Sequence, residues 1–405
     1  MSMVRRPPVV ADLTLVTAGA MTANVAGYLL QLLAGRWLGV TGYSEFASLL
    51  AVQLLCAVPA LALQNVVARE RVRGADVAAL RGLQWRCALI VAVVAVVLVP
   101  VVTVALNVGL LACAGALCAA PALVLLSGEQ GILQGGRRFR ELAVVLGSAG
   151  VARVAPALVV LALGGGAGAA LWAAALGLVA AAVFARVLAG RPAPEGESGG
   201  HTVGVLPVLR AAQVQAALMA LSSADLIVVR MVLDEVDASR YALGAIAAKI
   251  AFWLPQAVGV VLYPRMAQPT HSARAIRDAL AVLSAIGIVA VVCAALAAPI
   301  APVLAGQDYA PIQELLWLFA LHGAILAVLQ GAVLSAIAVD RTALAAVTWI
   351  GLAVEVTLMV SFARSVSALI TTAVSVAAAT TIVVAAVVLR TADRTEPAEP
   401  QHSTE

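Results

Sequence analysis

The sequence predicts an all-α, polytopic transmembrane bundle of about twelve helices, arranged as two six-helix lobes around a central cavity. Three observations carry this prediction. Hydrophobic residues make up 63% of the 405-residue chain and charged residues 11%, against about half and a quarter in soluble domains, so most of the chain cannot present a surface to water. Apolar stretches of about 20 residues, the length of helix that crosses the hydrocarbon core, recur from end to end. The arginines concentrate in alternate gaps between these stretches, as cytoplasmic loops require.

Taken in order, a cytoplasmic N-terminal segment, 1–12, carries Arg5 and Arg6. The first span, 13–35, is long enough to serve as an uncleaved insertion signal, since no small-residue cleavage site precedes a short apolar core. Spans at 44–66, 86–106, 109–127, 141–163 and 168–189 complete an N-terminal lobe, 13–190. The third and fourth are divided only near Asn107. A Pro/Gly/Glu-rich linker, RPAPEGESGGHTVG within 191–206, marks the one clear break. Spans at 207–233, 242–264, 279–299, 313–338, 342–362 and 366–390 form the C-terminal lobe, 207–390, with 313–338 and 342–362 divided only by Asp340 and Arg341. The polar tail, 391–405, reads as disordered and cytoplasmic. Arg69, Arg71, Arg73, Arg81 and Arg86 fill the second gap, Arg137, Arg138 and Arg140 the fourth, and Arg265, Arg274 and Arg277 the eighth. The opposite gaps hold only Arg36, Arg230, Arg240 and Arg364 beside the acidic turn Asp234, Glu235 and Asp237. An even number of spans with both termini inside follows from this pattern, and the Ala/Val/Leu/Gly/Arg bias of the sequence suggests a plasma membrane.

Several function classes are excluded. Every loop is short, so no extramembrane catalytic or nucleotide-binding domain fits, and no GxxxxGK[ST] loop is present. An enzyme is not expected, nor a cofactor. The cysteines (Cys56, Cys87, Cys113, Cys118, Cys293) fall in or beside apolar runs, and the histidines, His201, His271, His322 and His402, are scattered, so no metal site is expected. No basic patch is interleaved with aromatics, as a nucleic-acid surface would need.

Ionisable residues at membrane depth are the informative ones, because they cost free energy unless partnered or wet. Asp225 and Lys249 flank the acidic turn, and Glu355 lies on the eleventh span. Counting 1.5 Å per residue places all three roughly 10–12 Å below the outer surface. They read either as a structural ion-pair group or as gating or ion-coupling residues. Arg153 is near the middle of the fifth span, and no acid occupies the membrane interior of the first six spans, since Asp12, Glu45, Glu129 and Glu141 lie near span ends. Arg153 is therefore the candidate cavity-facing cation, unless carbonyls freed by Pro156 hold it. Arg36 ends the first span at the outer face and Arg69 stands at the inner mouth. Asn24 and Gln31, seven residues apart, share a face, and Gln213 and Gln215 do not. Gly19, Ala23 and Gly27 form a small-xxx-small row that permits close helix approach. His322 reads as a core imidazole with one hydrogen bond. Pro255 and Pro59 mark sites of helix breakage or bending.

Four stretches carry a resemblance: LLAGRWLGVTGYSEFASLL, GEQGILQGGRRFRELA, DLIVVRMVLDEVDASRYALGAIAAKIAFWLPQAVGVVLYPRMA and AGQDYAPIQELLWLFAL. Together they resemble the polysaccharide flippase branch of the MOP exporter superfamily. The resemblance implies two lobes around a cavity that opens alternately to each side. It also implies a substrate of glycan on a polyprenyl pyrophosphate, with glycosyltransferases or a polymerase of the same pathway as partners. A pyrophosphate needs cations, and Arg offers fork-shaped donors. Arg36 and Arg153, with Arg69, Asn24, Gln31 and Gln213, are the substrate-binding residues this implies. A MOP-type exporter of drugs or lipids, coupled to an ion gradient, is the alternative. The twelve spans depart from the fourteen usual in the peptidoglycan-precursor branch. The absence of an acid inside the first lobe departs from the drug/cation antiporters.

Overall fold

The structure is a computed structural model that describes residues 9–190, 204–266, 272–300, 307–338 and 344–395. Asp340 and Arg341, and the linker and tail outside these ranges, lie beyond the described residues. Helices account for nearly all of what is described, and no strand occurs among it. The chain divides into two compact units, Met1–Ala212 and Gln213–Glu405. The sequence places the division in the linker; by contacts it falls a few residues later, inside a helix.

The first unit contains α1 (Val9–Val72), α2 (Val77–Leu106), α3 (Leu110–Gly135), α4 (Phe139–Ala162) and α5 (Ala167–Ala189). The predicted gap between the first two spans is absent as a coil, because α1 is helical throughout its 64 residues. Packing registers nevertheless show that α1 supplies two spans. Gly19 and Ala23 meet Ala143 and Gly150, so the first stretch runs parallel to α4. Glu45, Gln53 and Gln64 meet Gly109, Ala116 and Gln134, so the second runs parallel to α3. α5 parallels α3, through Gly168 on Ala112 and the Trp172 indole N–H donating to the Leu111 carbonyl at 3.0 Å. It opposes α4, through Gly177 on Ala152 and Arg138 on the Leu188 carbonyl. Hence α3 and α4 are antiparallel, and α1 doubles back between Ala34 and Glu45. Of the small-residue row, Gly19 and Ala23 make the close approach, and Gly27 has open space around it.

Caps define the remaining ends. The Asp76 carboxylate accepts the Ala78 N–H at 2.9 Å to start α2, and Asn107 ends it in the left-handed region at φ 50°. α2 is the peripheral helix. Leu89, Val96 and Val104 lie exposed along it, with Val104 82% accessible, a pattern that water would not tolerate and hydrocarbon does. The core of the unit gathers Leu30, Ala34, Phe46 and Leu49 of α1 with Leu117, Val154, Ala157 and Leu171.

The second unit is built from α6 (Leu206–Leu221, which begins just before the division), α7 (Ala224–Val232), α8 (Glu235–Trp253), α9 (Gln256–Met266) and α10 (Ser272–Ala297). Short 3-10 turns at Ala298–Ile300 and Gln307–Leu315 lead to α11 (Leu316–Ala338), α12 (Ala345–Phe362) and α13 (Val366–Thr395). Two predicted spans, 207–233 and 242–264, are each broken in two. Pro255 lacks the N–H that would continue α8, and the helix restarts one residue on. At the other break the Ser222 hydroxyl donates to the Met219 carbonyl at 2.9 Å, competing with the helical ladder. Pro59, by contrast, sits inside α1 without interrupting it.

Eight of the described helices are long and apolar enough to cross a membrane, and three shorter apolar ones accompany them. With the doubled α1 and the two broken spans, the predicted twelve spans have counterparts. The chain is a multi-pass membrane protein.

Candidate functional site

Arg153 lies deep within α4 of the first unit. Arg153 stands 14 residues after Phe139 and nine before Ala162 in α4, about 21 Å and 13 Å from the two ends at 1.5 Å per residue. The sequence leaves it without a partner in view. The structure gives it a neutral one: its Nη2 donates to Oε1 of Gln53, on the returning stretch of α1. Gln53 in turn donates from Nε2 to the Ala116 carbonyl of α3 at 3.4 Å. The Nε of Arg153 is buried without a hydrogen-bond partner. A guanidinium steadied by an amide keeps its charge and spare donors, which suits it to an anion. The expected carbonyl freed by Pro156 is not its partner; that of Ala152 lies against Gly177 instead.

The unit's buried acid is spent elsewhere. Glu129, 2% exposed on α3, takes both Arg81 Nε at 2.9 Å and Arg81 Nη2 at 3.0 Å. The same Nη2 reaches the Gly190 carbonyl at 2.9 Å, so Arg81 also caps the end of α5. Arg138 assists by donating to the carbonyls of Ala189 and Leu188, both at 2.9 Å. These charge-assisted bonds bind α2, α3 and α5 at one end of the unit.

Other predicted substrate residues are dispersed. Asn24, Gln31 and Arg36 are exposed on the first stretch of α1, and no hydrogen bond joins them to Arg153 among the described residues. Arg69 is buried and bonded to Glu70 at 2.9 Å rather than free at a mouth. Gln213 is exposed and Gln215 buried, on different faces as predicted.

The second unit holds a buried polar cluster of different sign. Asp225, in the first turn of α7, accepts the Tyr241 hydroxyl at 2.9 Å and faces His322 Nδ1 at 4.0 Å. Glu355 on α12 is fully buried within the electrostatic reach of Asp225, and neither carboxyl oxygen has a hydrogen-bond partner. Both ring nitrogens of His322 also lack one, contrary to the single bond expected. Tyr241 stacks edge-on against Phe319, ring centroids 4.9 Å apart, which fixes its hydroxyl.

Lys249 does not belong to this cluster. Tyr241, Ala245, Ala248 and Phe252 turn inward along α8 at helical spacing, whereas Lys249 is exposed on the face of Ile246, Ile250 and Trp253. A pair between Asp225 and Lys249 is therefore absent, because equal depth is not equal azimuth. Reading depth alone misses Tyr241 as well. Its place one helical face from Ala248, amid small apolar residues, is the signal that marks it as buried. Gln53 carries no comparable signal beyond being polar within a span.

No protein-family model matches the sequence, and no curated protein matches it. Among solved structures, the chain is similar to a multidrug resistance MATE family transporter of the MOP superfamily in its outward-facing conformation, at TM-score 0.71 and 15% identity, covering 96% of this chain and 97% of that one. It is similar to a MOP superfamily transporter from Pyrococcus furiosus described by the reverse polarity of its binding pocket, at TM-score 0.72 and 13% identity, covering 96% of each chain. The Vibrio cholerae MATE transporter VcmN in its bent form gives 0.71 and 13%, covering 96% of this chain and 99% of that one. The chain has the fold of these transporters.

Proposed function

We propose that this protein is a transporter that moves a polyprenyl-pyrophosphate-linked oligosaccharide from the inner to the outer leaflet of the plasma membrane, by alternating access, for surface polysaccharide assembly. Both termini are cytoplasmic in this reading, and glycosyltransferases or a polymerase of the same pathway are its partners. The observation that carries it is the sign of the charge in the first unit. Arg153 is a cation at mid-depth, and Glu129, the carboxylate buried on α3, is committed to Arg81. A site of this sign favours a pyrophosphate over an organic cation. In this reading Arg36, Asn24, Gln31 and Arg69 of the first unit, and Gln213 of the second, are further substrate-binding residues.

Asp225 and Glu355 serve ion coupling or gating in this reading, and Lys249, on the exposed face of α8, stands apart from them. Two carboxyls, an imidazole and a phenol buried together at membrane depth are the kind of group that marks an ion or proton pathway. That cluster also favours a second reading, an ion-coupled exporter of drugs or lipids, which the likeness to a multidrug transporter supports. Deleting the gene separates the two. The flippase reading expects loss of surface polysaccharide and a build-up of glycan-bearing carrier on the inner leaflet. Intact polysaccharide together with drug sensitivity sinks it.

A further inference from the structure

The second unit carries two grooves of unlike chemistry. One, about 380 Å³ between α10, α11 and α13, is lined by aliphatic side chains apart from Ser284 and Thr381, and the Thr381 hydroxyl is turned to the Ala377 carbonyl at 2.7 Å. The other, about 510 Å³, lies where α12 ends and α13 begins. Ser367, Thr371, Thr372 and Ser375 line it together with Phe362, which is 77% exposed.

Ser367, Thr371 and Ser375 repeat every fourth residue and so form one row, with neighbours roughly 6 Å apart. The protons of Thr371, Thr372 and Ser375 are occupied within the helix, and the Ser367 hydroxyl pairs with that of Ser365 at 3.2 Å. Thr371 donates to the Ser367 carbonyl at 2.7 Å, Ser375 to the Thr371 carbonyl at 2.7 Å, and Thr372 to the Ala368 carbonyl at 2.8 Å. What they present outward is lone pairs, and a row of neutral acceptors recognises a row of donors. No lining residue is charged, so the groove is built for neither a pyrophosphate nor an organic cation. The face of a pyranose ring bears C–H groups that pack on an aromatic ring, and its rim bears hydroxyl donors. Phe362 and the hydroxyl row supply both halves of that recognition.

We infer that this groove is a subsite for the sugar portion of the substrate, a reading that rests on the lipid-linked glycan proposed above. On that topology it opens at the outer end of the unit, where a glycan arrives on crossing. The test compares binding of a polyprenyl-pyrophosphate-linked oligosaccharide and of the same carrier without sugar to the full-length protein in lipid nanodiscs. The variants are S367A/T371V/S375A and, separately, F362L, which keeps apolar bulk. Each is checked for wild-type thermal stability. The triple variant is expected to bind the glycan-bearing carrier about tenfold more weakly, with the bare carrier unchanged, and F362L to fall in the same direction. Wild-type binding of both carriers, with neither variant selectively losing the glycan-bearing one, overturns the subsite and leaves the transport reading standing. Failure of the wild type to bind either carrier overturns both.

Discussion

Replacing Arg153 by Ala is the sharpest perturbation of the proposed anion site. The structure sets what is lost. Within the protein, one bond to Gln53 disappears, and Gln53 keeps its bond to the Ala116 carbonyl. The partner left behind is a neutral amide, so the stability cost is held to about 1 kcal/mol. Toward an anion, the variant forfeits a charge-assisted bond of about 1.5–3 kcal/mol, or roughly ten- to a hundredfold in affinity. Arg153→Lys keeps the charge and loses the fork, so it should fall between the two. The assay is flipping of a fluorescent polyprenyl-pyrophosphate glycan in proteoliposomes, read by an impermeant quencher, beside a thermal melt of each variant. An Arg153→Ala protein that melts as the wild type and flips at the wild-type rate refutes the reasoning. A variant that merely unfolds is distinguished by its melt.

Arg81→Met leaves Glu129 buried without its counter-charge and should cost about 3–5 kcal/mol in unfolding, whereas Arg81→Met/Glu129→Leu should recover much of it; equal melting of single and double variants contradicts the clamp. Lys249→Ala should change stability by no more than about 0.5 kcal/mol, since Lys249 is exposed, and a loss of several kcal/mol would restore it as the partner of Asp225. Asp225→Asn and Glu355→Gln should remove the dependence of transport on an ion gradient in vesicles while Tyr241→Phe only weakens it; unchanged coupling in both carboxamide variants removes the cluster from the mechanism. Moving a doubly negative head outward through about 100 mV, inside negative, gains roughly 5 kcal/mol, so collapsing the potential should lower the accumulation of flipped carrier, and unaltered accumulation rules out that drive.

Span number and order were legible because a hydrocarbon core demands about 20 apolar residues, and nothing else in the chain competes with that signal. The break at Pro255 was legible from the missing N–H, and the break at Ser222 was not, because a serine hydroxyl bends a helix only in some contexts. The reversal of α1 falls in the predicted gap, around Arg36, yet helical bonding continues through it. Sequence pattern marks where apolarity lapses, which is a different quantity from where the backbone leaves the helix. In the candidate site, Arg153 was found because a charge at mid-span is conspicuous. Its partner Gln53 was not, since choosing among polar residues on other spans requires the packing registers of α1 on α3 and α4. Asp225 and Glu355 were found by depth. Lys249 was misplaced beside them because depth along a helix omits rotation about it.

Transport of a glycan-bearing carrier by the purified, reconstituted protein tests the central claim most directly. The measurement follows a fluorescent polyprenyl-pyrophosphate oligosaccharide from one leaflet to the other, in vesicles with and without the protein, alongside uptake of an organic cation. Protein-dependent flipping that needs Arg153, with no cation uptake, is the expected result. Cation uptake driven by an ion gradient, with the glycan-bearing carrier left in its original leaflet, contradicts it.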